Sequence, residues 1–135
     1  MNYSAIKSIL LVDDDRDDIY FFSKALEESN VDITLTTAGN GLEAFERLQT
    51  IEPDVILLDL NMPVMNGATF LKAIKKIKRL KDIPVIIYTS EISVFEREEF
   101  TILGAYAIFK KPEDFKRTVD TISELLKMNF VRMSA

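Results

Sequence analysis

Two runs, Ile9-Leu10-Leu11-Val12 and Val55-Ile56-Leu57-Leu58, are apolar at every position, and an aspartate follows each at once, Asp13 and Asp59. Such a run has no polar face to offer to water. It suits a strand covered on both sides, as in the centre of a parallel sheet. The segments between must then supply the covering helices.

They have that character. Five β-rich stretches, Ser8–Asp13, Ile33–Thr37, Asp54–Asp59, Pro84–Thr89 and Tyr106–Lys110, alternate with five helical patterns. The helical patterns are Asp17–Ser29, Leu42–Thr50, Gly67–Arg79, Ser93–Leu103 and Asp114–Met128. In the third, Phe70, Leu71, Ile74 and Ile77 form an apolar stripe opposite Lys72, Lys75, Lys76 and Arg79. In the fifth, Phe115, Val119, Ile122, Leu125 and Leu126 repeat in the same way. Strict alternation predicts an α/β fold, a doubly wound five-stranded parallel sheet with helices on both faces and right-handed crossovers. The 135 residues, 47% hydrophobic and 29% charged, fit one domain. No linker, repeat or low-complexity tract divides residues 1–135, so a single domain with a core over about residues 8–128 is expected.

Composition removes several chemistries. The chain has no Cys and no His, which excludes thiol catalysis, thiolate zinc sites and histidine acid–base chemistry. A net charge of −5 makes nucleic acid and anionic lipid poor partners. No apolar run approaches the roughly 18 residues that span a bilayer. No basic segment leading into an apolar h-region is present either, so a cytoplasmic location is expected.

In open α/β sheets, ligands bind beyond the carboxyl ends of the strands. Those ends carry Asp13-Asp14-Asp15, then Asp59-Leu60-Asn61-Met62-Pro63, then Thr89-Ser90, then Lys110-Lys111-Pro112. Carboxylates gathered in one pocket repel unless a cation compensates. Mg²⁺ suits such an all-oxygen site and favours sites shared with phosphate. A metal and a lysine together would neutralise the oxygens of a phosphoryl group in transit, and a carboxylate can serve as the nucleophile.

Taken in order, Ile9 to Asp14, Leu58 to Pro63 with Asn66-Gly67, Thr89-Ser90, and Lys111-Pro112 resemble the response-regulator receiver domain, the phospho-acceptor of bacterial two-component signalling. The resemblance spans nearly the whole chain. It implies the flavodoxin-like strand order 2-1-3-4-5. It implies Asp59 as the phosphorylated residue, Asp14 as a direct Mg²⁺ ligand and Asp13 as a ligand acting mainly through water. Asn61 would give its backbone carbonyl to the metal, Thr89 its hydroxyl and Lys111 its ammonium to the phosphoryl group. It also implies a cis Lys111–Pro112 bond. One position departs from the pattern: the family usually has Tyr or Phe three residues before the lysine, and here stands Ile108. Phe109 is adjacent but points to the other face of a strand.

Each feature also has a plainer reading. Asp15 reads as a helix N-cap. An EF-hand reading of the aspartates fails, because Asp18 and Lys24 stand where Gly and Glu are required. The basic run Lys72 to Lys81 reads as a solvated helix face with a favourable C-terminal end. Ile19-Tyr20-Phe21-Phe22 spans about 300° of a helix, so at least one of these side chains must be partly exposed.

The function expected is that of a signalling phospho-acceptor, not an enzyme in its own right, catalysing its own phosphorylation and dephosphorylation. Any phosphohistidine donor lies on another chain, a histidine kinase or a histidine phosphotransfer protein. Output would be a phosphorylation-dependent contact with a downstream protein or onward transfer. The alternative is a small Mg²⁺-dependent aspartyl-phosphate phosphatase. Such an enzyme usually wants a second Asp two residues after the nucleophile, where this chain has Asn61.

Overall fold

The two apolar runs become neighbouring strands at the centre of the sheet. In the computed structural model, which describes residues 2–4, 6–62, 64–128 and 130–132, the elements are β1 (Asn2–Ser4), β2 (Ser8–Val12), α1 (Arg16–Glu28), β3 (Thr34–Ala38), α2 (Gly41–Leu48) and β4 (Val55–Leu58). They continue with α3 (Gly67–Lys75), β5 (Val85–Thr89), α4 (Val94–Leu103), β6 (Ala107–Lys110), α5 (Phe115–Leu126) and β7 (Phe130–Arg132). The main sheet is parallel in the order β3-β2-β4-β5-β6. Counted over its own five strands, that is the order 2-1-3-4-5, as expected.

Every residue of β2 from Ile9 to Val12 and of β4 is buried. Successive side chains alternate between faces. Leu10, Val12, Ile56, Leu58, Val85 and Ile87 pack with Leu48 of α2, Phe70, Leu71 and Ile74 of α3, and Phe100 of α4. Ile9, Leu11, Val55, Leu57, Ile86 and Tyr88 pack on the other face with Phe22, Ala25 and Leu26 of α1 and Ile122 and Leu125 of α5. Burying an aliphatic or aromatic side chain of this size is worth about 1.5–3 kcal/mol. The double cover is thus what makes strands without a polar face stable.

Three features differ from the sequence reading. First, β1 and β7 form a separate antiparallel pair, Asn2 opposite Arg132 and Ser4 opposite Phe130. Runs of three residues are too short to show a period. Second, α3 ends at Lys75 rather than Arg79. The chain leaves the helix through tight turns, Ile77 N–H to Ile74 C=O and Leu80 N–H to Ile77 C=O, which bring Leu80 and Ile83 into the core. Arg79 then donates to the Leu48 carbonyl at the end of α2, 2.7 Å away. Third, Phe115, expected on the buried stripe of α5, is its first residue and is exposed.

The aromatic segment of α1 divides as its helical span requires. Phe22 is buried against Tyr88 in an edge-on contact, while Tyr20 and Phe21 are exposed. Asp15 is the N-cap of α1, accepting from Asp17 N–H and Asp18 N–H. Pro63, part of the motif after β4, lies outside the described residues.

Candidate functional site

Asp13, Asp59 and Lys111 are each the first residue past the end of a strand. Each extends the parallel ladder by one hydrogen bond. Asp13 N–H donates to Ala38 C=O (2.9 Å), Asp59 N–H to Val12 C=O (3.0 Å) and Lys111 N–H to Thr89 C=O (2.8 Å). Their backbones are therefore fixed by neighbouring strands although they lie outside regular structure. The alternation along each strand puts all three on the α1/α5 side: Asp13 follows Ile9 and Leu11, Asp59 follows Val55 and Leu57, and Lys111 follows Ala107 and Phe109. Thr89, in step with Val85 and Ile87, comes from the α3/α4 side.

The side chains meet. Lys111 Nζ lies 2.7 Å from Asp13 Oδ2, 3.2 Å from Asp59 Oδ2 and 2.8 Å from Asp18 Oδ2. The Thr89 hydroxyl donates to Asp59 Oδ1 at 3.1 Å. Asp13, Asp59, Thr89 and Lys111 are all buried. Asp14 is exposed at the rim, as is Asn61, two residues beyond Asp59. Close packing behind the acceptor comes from α3. Its Asn66 cap accepts from Thr69 N–H, and Gly67 N–H donates to the Leu60 carbonyl. A Cβ on Gly67 would stand 3.0 Å from the Asp59 carbonyl oxygen and 3.1 Å from Leu60 Cα.

Burial shapes the electrostatics. Desolvation pushes the Asp13 carboxyl up from 3.8 to about 6, against the pull of Lys111 and the Asp15 N–H, with the Asp59 charge adding to the rise. Burial opposes the Lys111 charge too. There the hydrogen bonds to Asp13 and Asp18 and the fields of Asp13 and Asp59 win, and its pKa is pushed up. The Tyr88 phenol is pushed up by burial.

Carboxylate oxygens of Asp13, Asp14 and Asp59 all lie within 4.8 Å of one another. Asp13 Oδ2 is buried and faces the Lys111 ammonium at 2.7 Å. An all-oxygen, anionic set of three carboxylates with a single ammonium to balance them fits a hard divalent cation such as Mg²⁺ or Mn²⁺. Every site residue expected from the sequence whose side chain carries a role is thus at this edge of the sheet.

Two expectations change. No cis peptide bond occurs among the described residues, so Lys111–Pro112 is trans. Trans is the default for X–Pro by about 0.5–1 kcal/mol. Asp18, not among the residues expected at the site, joins it through Lys111. It stands four residues before Phe22 and seven before Ala25, on the inward face of α1, where a carboxylate needs a partner. Ile108 packs with the α3/α4 cluster and Phe109 with the α1/α5 cluster, on opposite faces as expected.

The sequence profile described as "Response regulator receiver domain" matches residues 9–123. The polar-differentiation response regulator DivK of Brucella anthropi is 31% identical over 120 residues, covering 89% of this chain and 96% of that protein. Several other curated relatives are longer, and the chain spans 25%, 56% and 15% of three of them. Among solved structures, the phosphorylated cyanobacterial phytochrome response regulator RcpA superposes with a TM-score of 0.82 at 30% identity, covering 90% of this chain and 91% of that one. The Mn²⁺-bound response regulator Rcp1 gives 0.81 at 29% identity, covering 96% and 99%. Among the described residues, no helix is long and apolar enough to cross a membrane.

Proposed function

The chain belongs to the response regulator receiver domain family, and on that premise we propose that Asp59 is the residue that accepts the phosphoryl group. Receiver domains are phospho-acceptor signalling modules that take the group from histidine kinases or phosphotransfer proteins and bind Mg²⁺ or Mn²⁺ in an acidic pocket. The observation that carries the assignment is the convergence on Asp59 of a hydroxyl at 3.1 Å and an ammonium at 3.2 Å.

In the reaction, an Asp59 carboxylate oxygen attacks phosphorus and forms the O–P bond of an acyl phosphate. The P–N bond of the phosphohistidine breaks, and its electron pair stays on the imidazole. Lys111 neutralises charge on the phosphoryl oxygens. Thr89, which donates to Asp59 beforehand, turns its hydroxyl to the incoming oxygens. A Mg²⁺ ion held by Asp13, Asp14, Asp59 and the Asn61 carbonyl would supply the remaining positive charge and screen the carboxylates from one another. Tyr88, buried beside Lys111 and Asp18, lowers the local dielectric there and so strengthens these interactions.

With no histidine among the 135 residues, a donor histidine lies outside them. The module works as a cytoplasmic signalling protein that alters a protein contact, or passes the group on, rather than as an enzyme with its own substrate. The phosphatase alternative is not favoured, since Asn61 cannot serve as the proton donor wanted at its position. The test is incubation with Mg²⁺ and a small-molecule acyl phosphate, with the added mass located by peptide mapping. Asp59→Asn should abolish labelling while leaving the fold intact. Stoichiometric labelling of that variant would overturn the assignment.

A further inference from the structure

Lys111 has three ion-pair partners, and they are not equivalent. Asp13 and Asp59 belong with Asp14 to the group able to hold a divalent cation. Asp18 does not, yet its Oδ2 is 2.8 Å from Lys111 Nζ, within the range of a charge-assisted hydrogen bond. An ammonium has three donors and no acceptor, and here each carboxylate offers one oxygen. A cation at Asp13 and Asp59 takes up charge on the same carboxylates that Lys111 leans on, and repels the ammonium. Asp18 is then the partner left to it.

Asp18 is well placed for that part. It lies in the first turn of α1, with its own N–H bonded to the capping Asp15 Oδ1 at 3.2 Å. The lysine stem is flexible by contrast. Next to it is a cleft of 140 Å³ whose lining includes Asp18, Tyr88, Lys111, Pro112 and Thr118. Without an anchor, the side chain has somewhere to fold away from Asp59.

We propose that Asp18 is a positioning residue that holds the Lys111 ammonium beside Asp59 while a divalent cation occupies the neighbouring carboxylates. The role rests on the reading of Asp59 as the phosphoryl acceptor. Asp18 touches neither phosphorus nor metal, and it acts through Lys111. It thereby separates the two positive charges of the site, giving the lysine a carboxylate for which the metal does not compete.

A double-mutant cycle tests this, with Asp18→Asn and Asp18→Glu made in the wild-type chain and Asp18→Asn repeated in Lys111→Ala. Two quantities are read: the rate of labelling by a small-molecule acyl phosphate at saturating Mg²⁺, and the Mg²⁺ dissociation constant from an NMR titration without donor. With Lys111 present, Asp18→Asn is expected to slow labelling about tenfold, the scale of one lost charged hydrogen bond. Asp18→Glu should restore most of it. Mg²⁺ binding should weaken several-fold, because in the metal-free protein the ammonium is left with only Asp13 and Asp59, which the cation must then win from it. In Lys111→Ala, Asp18→Asn should change neither quantity by more than about twofold, since the residue it positions is gone. Equal effects in both backgrounds would reduce Asp18 to a general negative charge and overturn the proposal. So would an unimpaired Asp18→Asn in the wild-type chain. If labelling maps away from Asp59, the acceptor reading fails separately, and the Mg²⁺ cycle still reports on the Asp18–Lys111 link.

Discussion

Replacing Asp13 by Asn should stabilise the metal-free protein at neutral pH, and by an amount that depends on pH. The Asp13 side chain is wholly buried, and its carboxyl titrates near 6 instead of 3.8 because burial outweighs the attraction of Lys111. Below about pH 3.8 the group is protonated in both folded and unfolded chains and contributes nothing to the difference. As pH rises to about 6, the unfolded chain gives up the proton while the folded protein keeps it, so stability falls. Above that pH the penalty is constant, at about 3 kcal/mol for a displacement of this size. Asn keeps the Oδ1 acceptor that receives the Asp15 N–H at 3.0 Å. It also turns an amide toward the Lys111 ammonium, which returns part of the gain. The net expectation is a stabilisation of about 1–2 kcal/mol at pH 7.5 in a chelator, shrinking to near zero at pH 4. Urea unfolding followed by circular dichroism measures it, the chain having no Trp to report by fluorescence. Saturating Mg²⁺ should reverse the order, because ligand binding stabilises only the chain that can bind it. A variant less stable than wild type at pH 7.5 without metal, or a difference unchanged between pH 4 and 7.5, would refute the reasoning.

The same geometry sets four further outcomes. Lys111→Ala should slow labelling by the acyl phosphate about 10²-fold, the usual loss for one preorganised charge at a transition state. Lys110→Ala, on the exposed side of the strand end, should label at nearly the wild-type rate, and the reverse result would show the register of β6 to be misassigned. Gly67→Ala should cost about 1–3 kcal/mol in urea unfolding and also slow labelling, because the new Cβ presses on backbone atoms of Asp59 and Leu60. Unphosphorylated and phosphoryl-mimic-bound forms compared by NMR should show Thr89 moving while Phe109 keeps its rotamer within the α1/α5 cluster; a Phe109 ring that turns with Thr89 would contradict this.

Most of the site was legible because strand parity is arithmetic. Once Ile9 to Val12 and Val55 to Leu58 are central strands, Asp13 and Asp59 must emerge on one side at one edge. The same counting along β6 chooses Lys111 over Lys110. What escaped was set by tertiary detail. Asp18 belongs to a run of acidic residues, and only the rotation of α1 fixed by Phe22 and Ala25 singles it out. The early end of α3 depends on Leu80 and Ile83 finding room in the core, which no local pattern announces. Phe115 fits the period of α5 but falls where the helix has only just begun, beyond the reach of the sheet. The trans Lys111–Pro112 bond departs from what the resemblance implies and follows the ordinary preference of an X–Pro bond.

Helix α4 carries the means of starting and stopping within itself. Ser93 and Glu96 close its first turn reciprocally, and Gly104, at φ 104°, closes its last. Phe100 is its one fully buried side chain. The helix is therefore closed at both ends by local bonds, and it rests on the core through Phe100 and, near its C-terminal end, the half-buried Leu103. A tilt about Phe100 breaks none of the helix's own bonds. A displacement of the loop that carries Thr89 would be passed along the whole length of α4 as one motion, and its amide protons would exchange as a set when the helix lifts, instead of fraying inward from either end.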